Sequence, residues 1–393
     1  MFLNRAYFLN LLLILIVCAF QTNAQIQDKD IVDLMQEIKI IKQKKHKDTL
    51  NNHHFSLVPA AGYTLQTGFA ILLASNLTFT TDKNENSKTS TILSSVAYTQ
   101  KNQIIFPIMA NIWTKGNKYN IISDNKFLDY PSETYGIGPN AINSTSYRID
   151  YIYLRLHETV LRKIVKNTYA GLGIFYDNFW NIKEIDAPQG IPSNLGRYGK
   201  ESREETLGWI GQFLYDNRKN PINAENGLYA SLIFRNNPQS FGNKTSWNSC
   251  TIEIRKYIPF PAKSKNTLAL WSYNWLTFGG RVPYLLLPST GWDDFFNTGR
   301  GYIQGRFKGG NMGYLEAEYR YRIMKNGLIG GTVFGNVQSF KRDIKSHSQE
   351  LIPGYGLGLR IKMNKASSTN LSIDYGFGIN GSRGFFVNLG EVF

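Results

Sequence analysis

Beyond His54 apolar and polar residues alternate in stretches of about ten, each closed by a cluster of Asn, Gly, Lys, Asp or Pro. Such period-two alternation marks strands with one apolar and one polar face. It predicts strands at Phe55–Gln66, Gly68–Thr81, Thr89–Gln100, Gln103–Thr114, Lys118–Asp129 and Ser146–Val160. Ile164–Trp180, Glu204–Asp216, Gly227–Asn237, Thr245–Pro259 and Asn266–Phe278 follow. The last five are Gly313–Met324, Gly327–Phe340, Leu351–Met363, Thr369–Ile379 and Gly384–Phe393. The total is about 16, an even count of the kind bacterial membrane barrels prefer.

The late strands show the two faces best. Leu315, Ala317, Tyr319, Tyr321 and Ile323 share one face, and Glu316, Glu318, Arg320 and Arg322 the other. An Arg or Lys facing hydrocarbon near the bilayer midplane costs about 2–4 kcal/mol, so the charged face belongs in a lumen. By the same alternation Ile373, Tyr375 and Phe377 face out, and Ser372, Asp374 and Gly376 face in. A soluble sandwich would alternate too, around a dry core. The many outward aromatics favour lipid. The expected fold is a closed antiparallel transmembrane β-barrel over residues 53–393, with a short N-terminal periplasmic helix.

Residues 1–24 read as a signal peptide: Arg5, a short apolar run from Leu9 to Phe20, then Thr22-Asn23-Ala24. The run is too short for a spanning helix. A rival reading attaches lipid at Cys18, although Val17 precedes it where such signals carry a small residue. In residues 25–52, Ile31, Leu34, Met35, Ile38 and Ile41 recur at helical spacing, with Asp28, Asp30 and Asp33 early and lysines late. That order suits a helix dipole. The helix is either a solvated leader or a docking element for membrane surface or partner.

Composition supports the barrel. Mean hydropathy is −0.29, yet 14% of residues are aromatic, with 24 Phe and 23 Tyr. Outward aromatic girdles around a polar lumen reconcile the two. The net charge of +15 comes from scattered residues without a nucleic-acid-binding motif; contact with anionic lipid headgroups of the outer membrane is the expectation. Without residues 1–24 a single cysteine, Cys250, remains, which allows neither an internal disulfide nor a zinc cluster.

Enzyme signatures are missing: no Gly-x-Ser-x-Gly, no Walker loop and no His-Glu-x-x-His. His157-Glu158 lacks a second histidine, and the adjacent His53 and His54 point to opposite faces of a strand. Gly376-Phe377-Gly378-Ile379-Asn380-Gly381 has dinucleotide-loop spacing but no following helix. No cofactor, metal or catalytic residue is expected.

Ile182–Arg203 and Gly279–Gly310 are long connections, and the turn at Lys325-Asn326-Gly327 is tight. The second long segment contains Gly299-Arg300-Gly301-Tyr302-Ile303-Gln304-Gly305-Arg306. It resembles the Arg-Gly-Tyr/Phe loop of BamA/TamA-type outer-membrane barrels, the bacterial surface antigen superfamily. Tyr215-Asp216-Asn217-Arg218-Lys219-Asn220-Pro221 with Asn226-Gly227 resembles that family's strand junction, and Gly356-Leu357-Gly358-Leu359-Arg360 its Gly-x-Gly-Leu-Arg strand. Tyr135-Gly136-Ile137-Gly138 is similar to a motif of its short members. Phe385–Phe393 resembles its terminal strand, with Gly390 and Phe393 as a barrel-insertion signal and Phe385, Val387, Leu389 and Phe393 pointing one way.

The resemblance implies that the loop folds into the lumen, where Arg300 pairs with Asp374, Glu318 or Glu316 and Gly301 allows a close approach to the wall. Tyr302 belongs to the same latch. Two departures stand out. The 28 residues between the signal and the barrel are too few for the family's periplasmic POTRA domains, and Val333-Phe334-Gly335-Asn336-Val337 lacks the carboxylate of its Phe-x-Asp-x-Gly strand. The latter makes Asp374 the first choice of partner. The expected function is a non-enzymatic bacterial outer-membrane barrel that assists insertion or passage of proteins, and the mechanism the resemblance implies is a weak seam between first and last strands that can open toward lipid. A scaffold or subunit barrel, whose periplasmic or outer-membrane partner supplies the POTRA role, and a passive diffusion pore are the alternatives.

Overall fold

The computed structural model describes residues 28–38, 53–82, 87–138, 146–186, 193–199, 201–341, 350–365 and 367–393. Residues 1–24, read as a signal peptide, lie outside the described residues, as does most of the predicted leader. The strands are β1 His53–Thr64, β2 Gly68–Phe79, β3 Ser90–Thr99, β4 Ile104–Trp113, β5 Tyr119–Asp129 and β6 Ser132–Thr134. Next come β7 Tyr147–Val165, β8 Thr168–Glu184, β9 Arg203–Asp216, β10 Gly227–Asn237, β11 Trp247–Pro259 and β12 Thr267–Phe278. The series ends with β13 Asn311–Arg322, β14 Ile329–Lys341, β15 Ile352–Asn364, β16 Thr369–Gly378 and β17 Arg383–Leu389. The short β6 continues the line of β5 along β7. Seventeen segments therefore make sixteen staves.

Each stave pairs antiparallel with the next in sequence, from β1–β2 to β16–β17. Among the described residues no paired ladder joins β17 back to β1. Side-chain packing closes the gap: a Cβ at Gly62 would lie 3.5 Å from that of Val387, and Gly384 faces the Leu65 side chain. Pro59 on β1 lacks an N–H, which suits a strand with one weakly paired edge. The barrel is thus nearly closed, with a seam between β1 and β17.

Burial alternates along the walls. On β13, Glu316 and Glu318 are buried while Leu315 is 55% exposed, so the carboxylates face a filled lumen and the leucine faces outward. On β16, Ser372 and Asp374 are buried. Next to each other on β7, His157 faces in and Glu158 out. No described helix is long and apolar enough to cross a membrane.

One hairpin position moved and another stayed where its Asn-Gly pair puts it. β7 and β8 run on to a turn at Lys166-Asn167, because Asn167 takes φ 62°, a left-handed value that asparagine tolerates. The turn after β13 closes through Gly327 N donating to Met324 O at 2.9 Å, with Gly327 at φ 72°. The N-terminal helix α1 covers only Ile31–Glu37, capped by Asp30 and Asp33 in a capping box. It docks against the barrel rim that carries the short turns: Lys29 N donates to Asn326 O at 3.0 Å, Lys365 N to Asp30 at 3.0 Å and Lys365 Nζ to Asp33 at 2.8 Å. Helix α2 (Asn194–Gly199) lies in the long connection after β8.

One expectation fails. The last strand does not run to Phe393 but ends at Leu389, and Phe393 does not share the outward face of Phe385 and Leu389. Gly390 adopts φ 110°, the chain turns inward, and Phe393 is 5% exposed among lumen aromatics. A strand cannot continue through a left-handed residue, and glycine reaches that conformation at little cost.

Candidate functional site: a loop latched across the lumen

The connection between β12 and β13, residues 279–310, enters the barrel and returns, held as a hairpin by the Ser289–Lys308 bridge. Asp293 organises its tip, accepting from Asn297 N at 2.9 Å and Thr298 N at 2.7 Å. Gly301, at φ 110°, lies against the backbone at Phe377 and Gly376, where a side chain on either glycine would collide. The Tyr302 ring packs on Phe307 with centroids 5.2 Å apart. Its hydroxyl donates to Pro353 O and accepts from Ile379 N.

This close approach delivers Arg300, 1% exposed, to the inner wall. Its Nη1 donates to Asp374 Oδ2 at 2.5 Å, and its Nη2 to Glu318 Oε2 at 2.5 Å and also to Glu316. All three expected partners are met at once. Below the guanidinium lies the Phe334 ring, with its centroid 3.7 Å away. Arg300 O accepts from Asn336 Nδ2 at 3.0 Å, so the residue standing where the resemblance would put a carboxylate holds the loop backbone instead.

The network extends. Arg360 Nη1 donates to the other Asp374 oxygen at 2.5 Å, and its Nε to Glu391 at 2.7 Å. Arg320 Nε donates to Glu318 Oε1 at 2.6 Å. Three guanidiniums are interleaved with Glu316, Glu318, Asp374 and Glu391, all buried. Buried charges persist only when paired and hydrogen-bonded. The glycines of the Gly-x-Gly-Leu-Arg strand make the space. A Cβ on Gly358 would fall on the Asp374 carboxylate, and one on Gly356 would meet the Phe334 ring.

The loop also reaches the opposite wall. Lys126 Nζ on β5 donates to Asp294 O at 2.6 Å, with the Phe296 ring 4.7 Å from the ammonium. Trp292 stands edge-on to Tyr130 and Tyr153, at 6.1 and 6.3 Å. Behind it Arg155 bonds Asp124 at 2.9 Å, and Arg235 pairs with Asp177 at 2.7 Å. At the loop root, Lys308 Nζ donates to Tyr284 O at 3.1 Å; burial pushes its ammonium down to about 7, against the attraction of Glu204.

Sequence reading placed Arg300, Gly301, Tyr302, Glu316, Glu318 and Asp374, and the structure brings these six together. Gly356, Gly358 and Arg360, read only as a strand motif, lie in the same cluster. Gly390 and Phe393 lie beside it, in the lumen. The far-wall anchor was missed, although Asp124 and Lys126, like Arg155 and His157, are charges two apart on one strand face. Among the described residues no acidic, histidine or cysteine group is arranged to hold a metal.

No family model and no curated protein matches this sequence. The fold does match solved structures. BamA of Haemophilus ducreyi lacking POTRA domains 1–3 aligns with TM-score 0.54 at 12% identity, over 86% of this chain and 69% of that one. CdiB of Acinetobacter baumannii aligns with TM-score 0.54 at 14% identity, over 87% of this chain and 60% of its own. CdiB of Escherichia coli gives 0.54 at 10%, over 86% and 62%. The chain thus spans less than two thirds of either CdiB. At these identities the likeness is one of fold: the chain has a barrel like those of BamA and CdiB.

Proposed function

We propose that this chain is a non-enzymatic barrel of the bacterial outer membrane that assists insertion or passage of proteins. The rim carrying α1 and the short turns is then periplasmic, and the long loops are extracellular. The seam carries the reading. Among the described residues fifteen junctions between staves are laddered and one is not, so β1 and β17 offer the weakest line in the wall and an edge for an incoming strand. The filled lumen supports the same view over a diffusion pore, because the latched loop touches both walls. The fold likeness to BamA and CdiB supports it too. The docked α1 leaves room for the variant reading in which a partner supplies periplasmic domains.

The test is a seam lock. Gly62→Cys with Val387→Cys brings two Cβ atoms to disulfide range. The purified double variant goes into proteoliposomes, in a background lacking Cys18 and Cys250, with a small urea-unfolded outer-membrane barrel as client. Folding of the client is accelerated by the reduced protein and not by the oxidised one, and reductant restores it. Equal acceleration by both forms counts against the proposal.

A further inference from the structure

β17 has one laddered neighbour, β16, through seven residue pairs. Apart from its packing on β1, what else holds it is inside the barrel. After Gly390 turns the chain inward, Glu391 accepts from Arg360 Nε at 2.7 Å and Asn370 Nδ2 at 2.5 Å. Val392 O accepts from Asn297 Nδ2 of the lumen loop at 2.7 Å. Phe393 stacks on Trp271 of β12, centroids 5.0 Å apart, and its O accepts from Arg320 at 2.9 Å. Asn388, still on β17, donates to Asn297 Oδ1 at 3.1 Å. Asn297 is therefore gripped by the seam strand and by the segment that follows it.

We infer that Gly390–Phe393 is an internal tether that holds the β1/β17 seam shut and couples it to the lumen loop. The inference rests on the seam reading above and names what restrains that seam. Four residues span at most about 14 Å, and Phe393 is fixed to a strand five staves away from β17. β17 cannot swing outward while Phe393 stays on Trp271. Its departure breaks the Asn297 contacts, so the seam opens together with release of the loop. The buried Glu391 adds direction: leaving the lumen separates it from Arg360 and Arg320, which favours return.

The experiment measures seam opening without any client. Gly62→Cys alone, in the background lacking Cys18 and Cys250, lies against Val387 in the closed seam. Its alkylation rate by a membrane-permeant maleimide in proteoliposomes reports the open population. Phe393→Ala and, separately, Asn297→Ala should each raise that rate by about tenfold, the scale of a lost aromatic pair or buried hydrogen bond. Cleavage of the loop after Lys308 by trypsin should rise in parallel, and Phe393→Trp should restore both rates. Heat-dependent gel mobility checks that each variant is folded; Asn297→Ala serves if Phe393→Ala is not. Unchanged alkylation in the folded variants overturns the tether, as does faster alkylation without faster loop cleavage. Failure of the seam lock to block client folding would instead overturn the functional reading, leaving the alkylation result to judge the tether alone.

Discussion

Arg300→Ala removes one guanidinium from three carboxylates, but the loss does not fall on them equally. Glu318 keeps Arg320 at 2.6 Å and Asp374 keeps Arg360 at 2.5 Å. Glu316 keeps only the Tyr314 hydroxyl. Breaking a buried ion pair costs about 3–5 kcal/mol, mostly because a charge is left uncompensated. With one orphan rather than three, the low end applies: about 3 kcal/mol, or roughly a hundredfold in the latched-to-released ratio of the loop. Trypsin cleavage after the buried Lys308, followed by mass spectrometry on the folded protein in detergent, reads that ratio. Arg300→Ala should raise the rate by that factor. Adding Glu316→Gln should recover part of it by removing the orphan charge, whereas adding Asp374→Asn should recover none, since Asp374 is still paired with Arg360 and is no orphan. Equal rescue by both, or unchanged cleavage in Arg300→Ala, would refute the assignment of the network.

Other outcomes follow from the same geometry. In planar bilayers the wild type should stay mostly closed and Arg300→Ala should open to large, noisy currents; steady large currents from the wild type would contradict a plugged lumen. Gly358→Ala, which puts a methyl on the Asp374 carboxylate, should cost about 1–3 kcal/mol through overpacking and lower the melting temperature by circular dichroism; the same change at Gly335, where a Cβ meets nothing, should not. Docking of α1 should depend on pH. A hydrogen bond from Arg322, at 2.8 Å, holds the Asp28 carboxyl below its ordinary 3.8. A depressed carboxyl stabilises docking above the ordinary value and loses that contribution as pH falls through the depressed one. Anisotropy of a fluorophore at Val32→Cys should therefore hold from pH 7 to 4 and drop below that, and a flat profile to pH 2.5 would remove the Asp28–Arg322 pair from the docking.

Much of this was legible because strand periodicity is a local signal. Alternation located every stave, and the cost of charge in hydrocarbon assigned the inner face of β13 and β16 before any contact was known. Arg300 was legible through its loop motif. What the sequence hid were relations between distant residues of similar chemistry. Nothing local says that Asn336 takes the Arg300 carbonyl, or that Arg360, on a strand noted for its glycines, completes the carboxylate pairing. The far-wall anchor joins residues 168 positions apart. At the end of β17 local reading failed outright. Phe385, Val387 and Leu389 alternate, but Glu391 breaks the apolar register before Phe393, and the backbone at Gly390 shows that the pattern stops carrying geometry there. The seam is likewise a missing ladder: the resemblance implies a weak junction between the first and last strands, but strand pattern alone does not show that its hydrogen bonds are absent.

Hydrocarbon on one side of the wall and a packed, charged lumen on the other is the arrangement from which latch, seam and tether all follow. Spin labels walked one at a time from Ser249 to Ile258 along β11, in lipid vesicles, measure it most directly. Collisions with oxygen dissolved in the bilayer should peak at positions 250, 252, 254 and 258 and fall at 249, 251, 253 and 257, with period two. A flat profile, or one with its peaks at Ser249, Glu253 and Tyr257, would contradict a lipid-facing wall around this lumen.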